Sequence, residues 1–171
     1  MVKNIKYPIG IQDFEGLRKD GYLYVDKTAI IRDLIERGKY YFLSRPRRFG
    51  KSLLLSTLHA YFEGKRELFD GLAIDTEEVS WEKHPVMHLD LNSQHYDTKE
   101  SLYGILDDFL KKEELKYGVV PNSEYFGIRF CNIIHKAYEL TGSRVVILID
   151  EYDKPMLQSI GNSNLQDEYR N

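Results

Sequence analysis

The sequence predicts an α/β fold built on a parallel sheet, and three observations carry that expectation. A short apolar run, Tyr41 to Leu43, leads into a basic turn and then Gly50-Lys51-Ser52, which opens an apolar segment with helical spacing, Leu53 to Phe62. Farther along, Arg144 to Asp153 reads RVVILIDEYD, in which Val145 to Ile149 are continuously apolar and end on Asp150 and Glu151. Such a run reads as a strand buried on both faces, as parallel sheets require. A third strand-like run, Val86 to Leu91, and two long helical periodicities lie between them.

Composition sets the limits. The chain has 171 residues, one domain's worth, able to bury roughly 70% of its unfolded surface. Hydrophobic content of 42% and charged content of 30% are those of an ordinary globular chain. A net charge of -3 gives no global electrostatic case for nucleic-acid binding. The one cysteine, Cys131, excludes an internal disulfide and a cysteine-built zinc site; beside Phe130 and Ile134 it is expected to be a buried thiol. The sequence shows no signal-peptide pattern and no run of eighteen apolar residues, so the expected setting is cytoplasmic, with no membrane partner.

Taken in order, residues 1–38 read as an arm and a helix, and residues 39–171 as a core. Asp13 to Leu17 predicts a short helix, and Gly21 to Val25 alternates like an edge strand or extended arm. Asp26 is a candidate N-cap for a helix whose buried stripe would be Ala29, Ile30, Leu34 and Ile35, ending at Gly38. Tyr41 to Leu43 is expected to be a buried strand. After the helix to Phe62, Val86 to Leu91 is the next strand. Asp90 near its end is a weak candidate for supporting the site, and His88 fits a core or edge histidine better than a ligand. A helix near Ser101 carries Leu102, Ile105, Leu106, Phe109 and Leu110, and its tail, Lys111 to Glu114, reads as a solvated face. A second helix, Tyr125 to Leu140, buries Phe126, Phe130, Ile133, Ile134 and Ala137.

Strand, loop, Gly-Lys-Ser and helix in that order form the context of a phosphate-binding P-loop. Successive backbone N–H groups and the positive end of the following helix converge on phosphate there, and a glycine at Gly50 lets the backbone approach closely. Lys51 would reach the β- and γ-phosphates as a catalytic group, and the Ser52 hydroxyl would ligate Mg²⁺. Phe49, Gly50 and Leu53 complete the cradle with Arg47 and Arg48. The tripeptide alone should occur in about one chain in ten of this length, and the usual first glycine of the loop is replaced by Arg45. The second motif supplies what the first lacks. Asp150 would hold the metal and Glu151 would polarise the attacking water, although Asp-Glu could also simply cap a helix near Tyr152. The cluster Arg45, Arg47, Arg48 and Lys51 admits three readings: bonds to nucleotide phosphate, contact with nucleic acid, or a solvated basic face.

The words YPIGIQDFEGLRKDGYLYVDKTAII, YYFLSRPRRFGKSLLLSTLHAYFEGKRELFDGLAI and ILIDEYDKPML resemble bacterial AAA-ATPase-like proteins, over about Tyr7 to Asn171. In that family Arg-Pro-Arg-Arg-Phe-Gly-Lys-Ser is common usage. Long members carry a PD-(D/E)XK-type nuclease domain after the ATPase-like part. The resemblance implies a three-layer P-loop fold of the additional-strand class, with ATP and Mg²⁺ as cofactors. It also implies a further central strand, a sensor residue and an arginine finger beyond the Walker B element, which is Arg144 to Asp153 here, so the core is expected to be incomplete. Unpaired backbone left by a missing strand costs on the order of 1–3 kcal/mol per buried group. The sheet is therefore expected to rearrange, to pair with another copy as a homo-oligomer, or to be poorly stable.

The function expected from these readings is ATP binding with Mg²⁺-dependent hydrolysis, slow in the absence of an arginine finger, serving a larger and nuclease-linked protein. Two other classes stand beside it: a module directed to DNA or RNA through a C-terminal region, and a regulatory domain with a vestigial P-loop. The absence of an Asn/Thr-Lys-x-Asp motif favours ATP over GTP.

Overall fold

The computed structural model describes residues 6–44, 49–76 and 79–170. The chain divides into two compact units, one running to His84 and the other beginning at Pro85. Seven α-helices and a two-stranded parallel sheet make up the regular structure among the described residues, an α/β composition. No helix among them is long and apolar enough to cross a membrane.

The first unit contains α1 (Phe14–Lys19), α2 (Thr28–Arg37), α3 (Lys51–Phe62) and a 3₁₀ turn at Arg66–Phe69. Asp13 starts α1 by accepting the Gly16 N–H at 2.7 Å. Phe14, Ile31, Ala60, Tyr61, Leu68, Phe69 and Ile74 form the core, with Leu53, Leu54, Leu58 and Trp81 packed against it. Asp26 sits just ahead of α2. One of its oxygens accepts both the N–H (2.8 Å) and the hydroxyl (2.7 Å) of Thr28, and the other accepts the Ala73 N–H at 2.7 Å. The Thr28 hydroxyl oxygen in turn accepts the Ile74 N–H at 3.0 Å.

That network corrects the expected stripe of α2. Buried Thr28 sets the inward face, so Ile31 and Ile35 follow it at helical spacing, while Ala29 is exposed and Ile30 points to solvent. The residues from Gly21 to Val25 form an extended arm whose one bridge joins Lys6 to Tyr22.

Tyr41 to Leu43 is not a buried strand. The segment is irregular, and Tyr41 and Phe42 are exposed. Tyr41 turns back on α2, its hydroxyl donating to the Leu34 carbonyl at 2.5 Å, which satisfies one of the helix's terminal acceptors. Gly38 is needed for that approach, since a Cβ there would stand 2.8 Å from the Tyr41 hydroxyl.

The second unit contains β1 (Val86–Asp90), α4 (Lys99–Tyr117), α5 (Phe126–Thr141), β2 (Val146–Asp150), α6 (Lys154–Gln158) and α7 (Ser163–Arg170). β1 and β2 pair in parallel, from Val86 opposite Val146 to Asp90 opposite Asp150. Thr98 caps α4 through the Ser101 N–H. Met87, Leu110, Ile133 and Ala137 form the core, supported by Phe109, Phe126, Phe130 and Ile134.

Three expectations are corrected in this unit. β2 is not buried on both faces: among the described residues β1 is its one strand neighbour, and Ile147 and Ile149 are 42% and 46% exposed. Cys131 is exposed, because the inward face of α5 is set by Arg129, Ile133 and Ala137 and position 131 turns away from it. The tail of α4 is a solvated face only at Lys111 and Lys112, which are exposed. Glu114 is 3% exposed and accepts two bonds from Arg129, from Nε at 2.7 Å and from Nη2 at 2.8 Å, while Arg129 Nη1 reaches Asp107 at 2.6 Å.

Candidate functional site

The candidate phosphate-side residues lie in the first unit, at the start of α3. Gly50 precedes the helix in the left-handed conformation, φ 78° and ψ 24°, a backbone state that glycine adopts without Cβ strain. Among the described residues, chain neighbours aside, no protein atom lies within 4 Å of where a Cβ would stand, so there it is the backbone conformation that calls for the glycine. The helical ladder begins with the Leu54 N–H donating to the Gly50 carbonyl at 3.0 Å. The amides of the first turn therefore stand ahead of the ladder, at the positive end of the helix dipole. Lys51, Ser52 and Leu53 are half-buried in this turn, and Phe49 is exposed beside it. Arg45, Arg47 and Arg48 lie outside the described residues.

α3 is held from below. Ser56, one turn past the start, accepts the Phe14 N–H at 2.9 Å and donates to Asp13 at 3.3 Å, tying the helix to α1. Thr57, Ala60 and Tyr61 bury the opposite end in the aromatic core, where the Tyr61 hydroxyl donates to the Ser80 carbonyl at 2.7 Å.

The two carboxylates lie in the second unit, at the C-terminal end of β2. Asp150 is 7% exposed, and its Oδ1 accepts the Glu151 N–H at 3.0 Å. Glu151 is the non-glycine residue with positive φ, 53°, among the described residues. Such a conformation costs on the order of 1–3 kcal/mol and persists where surrounding structure over-determines it. The Leu91 N–H extends the ladder to the Asp150 carbonyl at 3.1 Å, and the Lys154 N–H closes the turn on the Glu151 carbonyl at 2.9 Å. Asp90 stands opposite Asp150 in register, and its own carboxylate accepts the Asn92 N–H at 2.7 Å.

Each unit, taken by itself, carries a donor of the type that hard divalent cations take: the Ser52 hydroxyl in the first, and in the second the buried Asp150 carboxylate, one oxygen of which is already held by its own turn. Sequence reasoning passed over Asn92 and Lys154, whose side chains join the loop after β1 to the turn carrying Glu151. The available signal was Lys154 itself, a cation placed one helical turn beyond Asp150 in the run DEYDK.

With this geometry in view, comparison with known proteins is specific at the level of family. A family model described as "Predicted AAA-ATPase" matches residues 8–171. The chain is 40% identical over 166 residues to a protein of Azotobacter chroococcum mcd 1, described as an uncharacterized protein in the vnfD 5' region. That alignment covers 96% of this chain and 32% of the relative, so the chain spans about a third of that protein's length. No solved structure matches. The chain belongs to the AAA-ATPase-like family.

Proposed function

We propose that this chain binds ATP with Mg²⁺ and forms the hydrolytic part of a larger protein. The observation that carries the reading is the left-handed Gly50 immediately ahead of Lys51-Ser52 at the start of α3, since amides at a helix N-terminus beside a lysine are groups that bind phosphate. In this reading the amides of Gly50 to Leu53 receive the phosphates, with Phe49, Arg47 and Arg48 flanking them. Lys51 would stabilise the β- and γ-phosphate charge; Ser52 is the candidate metal ligand of the first unit and Asp150 that of the second. Mg²⁺, when bound, neutralises charge that builds on the phosphate oxygens. Glu151 orients a water and accepts its proton. Catalysis of this kind is mostly positioning and charge stabilisation, so the groups must be held, not merely present.

The test is calorimetric titration of ATP with Mg²⁺ into the protein and into Lys51→Ala. Binding by the parent that is lost in the variant supports the reading; no binding by either protein, or equal binding by both, overturns it. Binding of DNA at equal or higher affinity, weakened steeply by salt and by replacing Arg47 and Arg48, would favour a nucleic-acid-directed module instead.

A further inference from the structure

We infer that Lys154, acting with Asn92, is the positioning residue that holds Glu151 in its productive orientation; the inference rests on the ATPase reading above. The geometry lies wholly within the second unit. Glu151 occupies a left-handed turn between the end of β2 and the start of α6. Its backbone is fixed on the strand side by the Leu91–Asp150 bond and on the helix side by the Lys154 N–H. Neither contact ties that turn to the loop following β1 beyond Leu91. The Lys154 side chain does so. Its Nζ donates to the Asn92 carbonyl at 2.8 Å and to the Asn92 side-chain oxygen at 3.2 Å, and it lies 5.9 Å from the centre of the Tyr96 ring.

One turn along α6, on the same face, Gln158 accepts the Tyr96 N–H at 2.8 Å through its side-chain oxygen. Lys154 and Gln158 thus clasp the loop from Asn92 to Tyr96 at both ends. The loop offers a rigid anchor in return. Tyr96 is fully buried, and its hydroxyl donates to the Leu91 carbonyl at 2.8 Å. Asn92 is itself braced by Asp90. A turn in a sparsely populated backbone conformation persists when its flanks are fixed. Here Lys154 supplies a flank through a charge-assisted fork, at the residue that ends the turn.

Two features separate this role from simple packing. Lys154 donates to two oxygens of Asn92, so an apolar side chain of similar length keeps most of the volume and removes the anchor. Asn92 presents two oxygens to one ammonium, an arrangement that an arginine fork also satisfies.

The experiment compares parent, Lys154→Met, Lys154→Arg and Glu151→Gln proteins by two readouts. The first is amide hydrogen exchange at Leu91 and at residue 154, which reports the turn with no nucleotide present. The second is ATP turnover resolved into kcat and KM. The expected result for Lys154→Met is faster exchange at both amides and kcat lowered about tenfold to a hundredfold, the scale of a misplacement near 1 Å, with KM within about twofold of the parent. Lys154→Arg is expected to restore both readouts. Unchanged exchange in Lys154→Met overturns the inference, as does faster exchange with unchanged kcat, which would leave the clasp a purely structural contact. Parent turnover no faster than Glu151→Gln refutes the underlying ATPase reading and removes the inference with it, a result distinct from the other two.

Discussion

Replacing Arg129 by methionine tests how the second unit is held together. The Arg129 and Glu114 side chains are 7% and 4% exposed and meet through two bonds, at 2.7 and 2.8 Å, with a third at 2.6 Å to the part-exposed Asp107. The guanidinium is planar and forked, which suits it to a buried carboxylate on the neighbouring helix. Methionine keeps most of the volume but leaves Glu114 buried without its partner, a loss of about 3–5 kcal/mol. Asp107 contributes less, because Lys111 pairs with it at 2.7 Å from the same helix.

With a urea m-value of about 2 kcal/mol/M, the loss moves the unfolding midpoint down by roughly 1.5–2.5 M. The assay is urea denaturation followed by circular dichroism, at low and high salt, because a buried pair is screened much less than an exposed one. A double variant, Arg129→Met with Glu114→Met, is expected to recover a large part of the loss, because it removes both charges together. A midpoint shift under about 0.5 M, or a double variant as unstable as the sum of the single ones, would refute the reasoning.

Two further predictions concern the first unit. The Lys19 and Lys65 ammonium groups, at 2.5 and 2.6 Å, lower the Glu15 carboxyl from its ordinary 4.5 to about 2. Because the folded value is the lower one, the contribution of Glu15 to stability is present above about pH 4.5 and is lost as pH falls toward 2. Solvent screening keeps that contribution to at most about 1 kcal/mol, and Glu15→Gln is expected to flatten the acid limb of a stability–pH curve by that amount; an unchanged limb would contradict it. Burial works against the Asp26 carboxylate, but the Thr28 hydroxyl and the Thr28 and Ala73 amides outweigh it and lower its pKa. Asp26→Ala should therefore cost about 1–3 kcal/mol by unpairing amides at the start of α2 and in the Ala73 loop, measured by chemical denaturation, and a loss of a few tenths would show that water replaces the carboxylate.

Local signals carried far in this chain. Asp13, the Gly50-Lys51-Ser52 opening of α3, the periodic apolar faces of α4 and α5, and the apolar run of β2 ending in two carboxylates all depend on neighbours within a turn or two. Capping, helical period and strand hydrophobicity are short-range properties, so they can be read directly from residue order. The family membership was legible for the same reason, since its identifying words are contiguous.

What residue order could not decide was which partner each face would meet. Lys111 to Glu114 has the composition of a solvated face, yet Glu114 is buried because Arg129, fifteen positions away on another helix, arrives against it. Cys131 has apolar sequence neighbours and is exposed because Arg129, Ile133 and Ala137 take the inward side of α5. Tyr41 to Leu43 is apolar enough for a strand, but a strand needs a hydrogen-bonded neighbour, and Tyr41 instead caps the end of α2. Likewise, Lys154 became legible as an anchor only when folding brought it against Asn92, sixty-two positions earlier. The sequence by itself determined α1 to α5 and the two paired strands, because those follow from local pattern, while α7 had no such signal in the polar run from Gly161 to Asn164. Burial, ion pairing and the bracing of Glu151 were decided by tertiary structure, because each depends on a residue distant in the chain and adjacent in space.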